Sequence, residues 1–161
     1  MSLQSSMIFW RQMFWRIITT LGSFYIVVPV ALALAMINTL LGVKLLLGIA
    51  VISGITIIIR LLYFKERPKK RPTTSLLRKI DASSFPSIHA ARGFFFAMVL
   101  TRYYQSQSIG IVLFVLAVLI AFSRYRLHHH DSVDILGGTI LGIAISYLVE
   151  WEWIISRVPG L

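Results

Sequence analysis

The sequence predicts an all-α polytopic bundle of about five membrane-spanning helices, preceded by an amphipathic helix lying in the membrane interface. Three observations carry that expectation. Of 161 residues, 57% are apolar or aromatic and only 14% are charged, against about 25% charged in an average soluble domain. Apolar runs close to the roughly 20 residues that a helix needs to cross the hydrocarbon core recur along the chain. The polar residues that break those runs gather at their ends. The length fits a single domain over residues 1–161, and the absence of cysteine removes disulfides and thiolate metal sites. What remains to be explained is 16 Lys and Arg against 6 Asp and Glu in so apolar a chain.

Taken in order, Met7 to Arg16 sets Phe9, Trp10, Met13, Phe14 and Ile17 at helical spacing with Arg11, Gln12 and Arg16 between them, the pattern of an interfacial helix. It lacks the early basic segment of a signal peptide, and Arg interrupts its apolar run. Ile17 to Val43 is free of charge and forms the first expected span. The second is Leu45 to Ile59, bounded by Lys44 and Arg60 and extending through Phe64. A loop from Lys65 to Phe85 follows. The third span starts at Pro86 and runs to about Tyr104, the fourth covers about Ser108 to Ser123, and the fifth about Ser132 to Trp153. Trp10 and Trp15 belt one interface; Trp151 and Trp153 anchor the other.

Five crossings place Arg60, the Lys65–Phe85 loop and the Arg124–Asp134 turn on one side, leaving only Lys44, Arg102 and Arg157 of the basic residues on the other. The positive-inside rule makes the basic side cytoplasmic. In the loop, Lys69, Lys70, Arg71, Arg78 and Lys79 read as a juxtamembrane stretch attracted to anionic headgroups, at about 1 kcal/mol each.

Charges and histidines at membrane depth are costly and call for a function. Here Arg60 closes the second span and Arg67-Pro68 follows it. Pro86-Ser87-Ile88-His89 opens the third. Ser123-Arg124 ends the fourth, and His130 and Asp134 open the fifth. Antiparallel spans bring all four helix ends to one membrane face. The order Arg60-x6-Arg67-Pro68, Pro86-Ser87-Ile88-His89, Ser123-Arg124-x5-His130-x3-Asp134 resembles the type-2 phosphatidic acid phosphatase superfamily. That family's pattern is Lys-x6-Arg-Pro, Pro-Ser-Gly-His and Ser-Arg-x5-His-x3-Asp. The resemblance covers a motif-bearing core of about residues 60–138. Two positions depart: Arg60 stands for the family's Lys, keeping the charge on a wider planar group, and Ile88 stands for its Gly.

Phosphate-ester hydrolysis needs an anion cradle, a nucleophile and an acid for the leaving group. Arg60, Arg67 and Arg124 can give forked, charge-assisted hydrogen bonds to phosphate oxygens. Pro86 suits a first helical turn, so Ser87 and Ile88 are expected to offer free N–H groups at a helix N-terminus. Such a cradle serves phosphoryl transfer, which rests on positioning and electrostatics. His130 and Asp134, four apart, share a helix face, and Asp134 can fix the ring tautomer and leave the other nitrogen to attack. The expectation is His130 as nucleophile forming a phosphohistidine, Asp134 orienting it, and His89 protonating the departing lipid oxygen and then activating water. The resemblance implies the same roles and no metal.

Other residues have plainer readings. His128, His129 and His130 are consecutive and cannot all face one pocket, so two are expected in solvent or at the interface. With Asp131 and Asp134 the run has donors that suit Zn, Fe or Ni, yet three nearby arginines favour an anion over a cation, so no metal and no cofactor are expected. Arg92 could line the site, with snorkelling to the interface the preferred reading. Ser123 can simply end its helix. Gly138, Gly142 and Ser146 form a small-xxx-small row suited to close helix packing.

The expected function is that of a multi-pass cell-membrane lipid phosphatase acting on a lipid monophosphate or a polyprenyl (di)phosphate. The run Ser84-Phe85-Pro86-Ser87-Ile88-His89-Ala90 is similar to the short bacterial undecaprenyl diphosphate phosphatases, which favours a polyprenyl diphosphate. Its partners are then a phosphorylated membrane lipid and anionic headgroups. Net charge alone suits nucleic acid as readily as lipid, but the position of the charges on the spans points to lipid and to no nucleic acid. Many family members work on the outer or lumenal face, so both faces stay open, as does oligomeric state. Two rivals are a noncatalytic phospholipid-binding or lipid-moving membrane protein and a vanadate-dependent haloperoxidase-like enzyme.

Overall fold

A computed structural model describes residues 3–69 and 73–150. Helices are the regular elements of the described chain, with one isolated bridge between Glu66 and Ser83. Its elements are α1 (Leu3–Leu21), α2 (Phe24–Ile37), α3 (Thr39–Leu62), α4 (Leu76–Ala82), α5 (Ile88–Tyr104), α6 (Gln107–Arg126) and α7 (Ser132–Val149). The expected anchors Trp151 and Trp153, with Lys70 and Arg71, lie outside the described residues.

The charge-free run from Ile17 to Val43 is divided among three helices, where the sequence suggested one span. The interfacial helix continues to Leu21, and the chain then bends by 45° into α2. Gly22 sits at that bend because there is no room for more: a Cβ there would lie 2.7 Å from Ile120 and 3.3 Å from His89. The second break is at Asn38, whose side chain accepts from the Leu41 N–H at 2.9 Å and caps α3. The second span therefore starts at Thr39, before Lys44 rather than after it.

Among the described residues three helices, Thr39–Leu62, Gln107–Arg126 and Ser132–Val149, are each long and apolar enough to cross a membrane, and the bent pair Phe9–Leu21 with Phe24–Ile37 passes the same test when taken together as one broken span. The expected span from Pro86 is α5, of 17 residues. It lies at the centre of the bundle, packed on α6 and α7 and also on α3. Lipid supplies no hydrophobic drive between helices, so close contact depends on small residues. A Cβ on Gly138 would stand 2.2 Å from the Ser87 carbonyl, and one on Gly142 2.1 Å from that of Ala91. The expected small-residue row on α7 is thus where the α5 backbone rests. Phe95, Leu45, Ile52 and Val99 fill the interior, whereas Leu47, Ile58, Val112, Val115, Leu136 and Ile140 face outward to lipid.

The described part of the loop after α3 contains a short helix and a return toward α5. Ser75 caps the short helix α4, and the chain returns through Ser83 and Ser84, whose N–H bonds the Lys65 carbonyl at 2.8 Å. That return carries Phe85-Pro86-Ser87 over the end of α7 and into α5.

Candidate active site

Four helix ends meet at one face, as antiparallel crossing requires. Arg60, in the last turn of α3, is buried and donates to the Pro86 carbonyl at 3.0 Å and that of Ile80 at 3.3 Å. Arg67 is equally buried; its Nε donates to the Ser83 carbonyl at 3.4 Å, and its Nη2 lies 3.9 Å from Asp81. Arg124 lies in the last turn of α6, with Nη1 donating to the Thr19 hydroxyl at 3.0 Å and Nη2 lying 3.5 Å from His130 Nε2.

His130 is placed by the turn between α6 and α7. His128 takes a left-handed backbone with φ of 55°, and the N–H groups of His129 and His130 both return to the Arg124 carbonyl. The turn sends His128 outward, leaves His129 half-buried and buries His130. Only His130 of the three reaches the site. Asp131 then caps α7 in a reciprocal box with Asp134: each backbone N–H donates to the other's carboxylate at 3.0 Å. His130 thus precedes the helix, and the capping box brings its Nδ1 to 3.5 Å from Asp134 Oδ2.

Asp134 is fully buried and held through both oxygens. Oδ2 takes the Asp131 N–H and faces His130; Oδ1 takes Lys65 Nζ at 2.8 Å and the Ser84 hydroxyl at 3.3 Å. The same Lys65 ammonium lies 2.6 Å from Asp131. The carboxylate pair that had the composition of a cation site is bridged by a lysine. Burial lowers the Lys65 pKa, but the hydrogen bonds and charges of Asp131 and Asp134 outweigh it and raise the net value. Burial pushes His130 down to about 4, against the Asp134 hydrogen bond and with help from the charges of Arg124 and Arg67. The ring is therefore neutral near pH 7. A guanidinium beside Nε2 and a carboxylate beside Nδ1 put the proton on Nδ1 and the lone pair on Nε2.

Ser87 differs from expectation. Its N–H is engaged with the Asp134 carbonyl at 2.9 Å, because that bond ties the start of α5 to α7. The buried Ser87 hydroxyl has no hydrogen-bond partner among the described residues and is the group it can offer an anion. Ile88, half-buried, begins α5. His89 follows in the first turn, its Nδ1 buried without a hydrogen bond among the described residues and its ring under the charges of Arg124, Arg92 and Arg67. Arg92 does not snorkel: it is buried, donates to the Ser53 hydroxyl at 3.0 Å and lies 5.4 Å from the Phe24 ring centre.

Sequence reasoning missed Lys65, Ser84 and Thr19 as parts of this site. Lys65 reads in the sequence only as the first cation of a basic loop, and Thr19 lies within an apolar run whose bend spacing does not show.

The family model described as the PAP2 superfamily matches residues 41–154. The chain belongs to the PAP2 superfamily. Among PAP2 relatives, the undecaprenyl-diphosphatase BcrC of Bacillus subtilis is 33% identical over 92 residues, 56% of this chain and 47% of that protein. Dolichyldiphosphatase 1 of Dictyostelium discoideum is 27% identical over 105 residues, 58% of this chain and 45% of that protein. This chain thus spans about half the length of these curated relatives. The crystal structure of Aquifex aeolicus LpxE superposes with a TM-score of 0.74 at 25% identity, covering 87% of this chain and 85% of that one. The PAP2 match includes every residue of the three sequence motifs and the Lys65 tie, and leaves Thr19 outside it.

Proposed function

We propose that this membrane protein hydrolyses a polyprenyl diphosphate, releasing inorganic phosphate through a phosphohistidine on His130. The observation that carries the reading is the ring of His130, held with Nδ1 toward Asp134 and Nε2 toward Arg124. Two relatives named as diphosphatases of polyprenyl lipids support the substrate class, and the apolar exterior supports a multi-pass place in the cell membrane.

Arg67 and Arg124 hold the terminal phosphate, with the Ser87 hydroxyl and the Ile88 N–H at the head of α5. Arg60, donating to the Pro86 carbonyl, braces the loop that presents Ser87 and adds its charge to the cradle. Nε2 of His130 attacks the terminal phosphorus. The P–N bond forms as the P–O bond to the lipid breaks, the electron pair leaves on that oxygen, and His89 gives it a proton. Water then attacks the phosphorus while His89 takes its proton, the P–N pair returns to Nε2, and phosphate departs. Asp134 keeps the proton on Nδ1 and stabilises the cationic ring formed in between. Each step uses side chains of this chain and needs no metal.

Phosphate release by detergent-solubilised protein from a panel of lipid monophosphates and diphosphates tests the reading. His130→Ala and His89→Ala are each expected to lose at least about a hundredfold in kcat, consistent with acid–base catalysis contributing roughly 10²–10⁴. Radiolabelled substrate should leave an acid-labile, base-stable label on His130. Full turnover by His130→Ala would sink the mechanism, and release from no lipid phosphate would favour a binding protein.

A further inference from the structure

Below His89 the bundle opens into an apolar cavity of about 210 Å³ between α2, α5 and α6. Val27, Val30, Phe96, Leu113 and Ile120 line it, and among the described residues Arg92 is the one charged residue on its wall. Ile120 also touches the Gly22 bend that packs on His89, so His89 stands at the head of this cavity. Arg92 lies three residues after His89 on α5, about 4.5 Å further along the axis.

A guanidinium buried among apolar groups normally has a carboxylate. Among the described residues Arg92 has none: its partners are the Ser53 hydroxyl and the Phe24 ring. Its Nε is buried without a hydrogen bond among the described residues, and the charge that bears on it is another cation, Arg60. The charge of Arg92 therefore has no counter-charge among the described residues. His89 lies under the charges of Arg124 and Arg67 on one side of the site and of Arg92 on its own helix, and Arg92 is on the wall of the apolar cavity, so the cradle, His89, Arg92 and the cavity are successive neighbours. In a lipid diphosphate the same order holds: terminal phosphate, bridging oxygen, second phosphate, hydrocarbon chain. His89 serves the bridging oxygen, which puts the second phosphate one step deeper. In a monophosphate the hydrocarbon chain would begin there and leave Arg92 unmatched.

We propose that Arg92 binds the lipid-proximal phosphate of a diphosphate substrate, with the first part of the hydrocarbon chain in the α2–α5–α6 cavity, and so selects lipid diphosphates over lipid monophosphates. The inference rests on the hydrolase reading above. The Pro86-Ser87-Ile88-His89 motif does not include Arg92, so this selection is separate from the reaction itself.

The test uses full-length protein in detergent, with a polyprenyl diphosphate and a polyprenyl monophosphate of equal chain length. Arg92→Gln is expected to lower kcat/KM for the diphosphate about 10- to 100-fold, the range of one charge-assisted hydrogen bond, and to change that for the monophosphate less than about threefold. Arg92→Lys should recover part of the loss. Inhibition by the polyprenyl monophosphate, the product of the diphosphate reaction, should weaken in Arg92→Gln, while inhibition by inorganic phosphate stays as in the wild type. An equal fall on both substrates, or no fall on either, overturns the role of Arg92 and leaves the hydrolase reading standing. Wild-type protein that releases phosphate from neither substrate overturns both. Removal of a buried cation with no carboxylate partner among the described residues should not lower the melting temperature; a lowered one accompanied by equal losses counts against the proposal.

Discussion

Lys65→Met removes the ammonium that ties the catalytic turn together while keeping most of the side chain's volume. Asp134 is fully buried, and its Oδ1 would retain only the Ser84 hydroxyl at 3.3 Å. A hydrogen bond to a charged group contributes about 1.5–3 kcal/mol. The Lys65 side chain is 24% exposed, which places its bond to Asp134 toward the lower end of that range. Its contact with Asp131, 42% exposed, adds less than about 1 kcal/mol. The total is about 2 kcal/mol. Lys65 touches no reacting atom and acts by holding Asp134 against His130, so the loss should reach the transition state through the orientation of the ring. Carried over fully, 2 kcal/mol is roughly thirtyfold in kcat. The assay is phosphate release under saturating substrate in detergent, with Lys65→Arg as the rescue and thermal melting alongside. Lys65→Arg should restore most of kcat. The folded pKa of Lys65 is raised above the ordinary 10.5, so its contribution is fully present below about pH 10.5 and lost only as pH rises through the folded value. The kcat ratio of wild type to Lys65→Met should therefore be the same at pH 6 and pH 9. A kcat within twofold of wild type, whatever happens to the melting temperature, would refute the positioning role.

Other perturbations follow from the same geometry. His130, held near 4 in the fold against about 6.5 in an unfolded chain, takes up a proton on unfolding between those values. Melting temperature should fall as pH drops from 6.5 to 4, and the fall should be shallower in His130→Ala. Thr19→Val removes the hydroxyl that accepts from Arg124; a loss of about tenfold in kcat/KM is expected from one hydrogen bond to a charged group, with inhibition by inorganic phosphate weakened in parallel. Gly142→Leu drives a side chain into the Ala91 carbonyl, 2.1 Å from a Cβ, and should reduce the folded yield in detergent, whereas Gly54→Leu, with open space around it, should be tolerated. Turnover should be unaffected by a chelator such as EDTA; a loss restored by added divalent metal would count against the histidine mechanism.

Much of the site was legible because it is written as short-range motifs at the ends of apolar runs. That Arg60, Arg67, His89, Arg124, His130 and Asp134 gather at one face could be read from spacing and hydropathy, since a charge at membrane depth is costly, while their expected roles came with the family resemblance. What spacing could not reveal was which atoms those residues satisfy. Asp134 pairs with His130 through a capping box and not through one helix face, and the Ser87 N–H, expected to be free, ties α5 to α7. Lys65 looked like one more cation in a basic loop until the return of that loop set it between two carboxylates.

The helical, membrane-embedded class and the convergence of motifs on one face were set by composition and periodicity, because lipid leaves a chain few alternatives to satisfied helices. Where the long apolar run breaks was decided by packing: Gly22 is required by the approach of His89 and Ile120, contacts between segments far apart in the chain. The same holds for Arg92. Sequence spacing alone allows it to snorkel; only the walls of α2, α3 and α6 around it turn that residue inward.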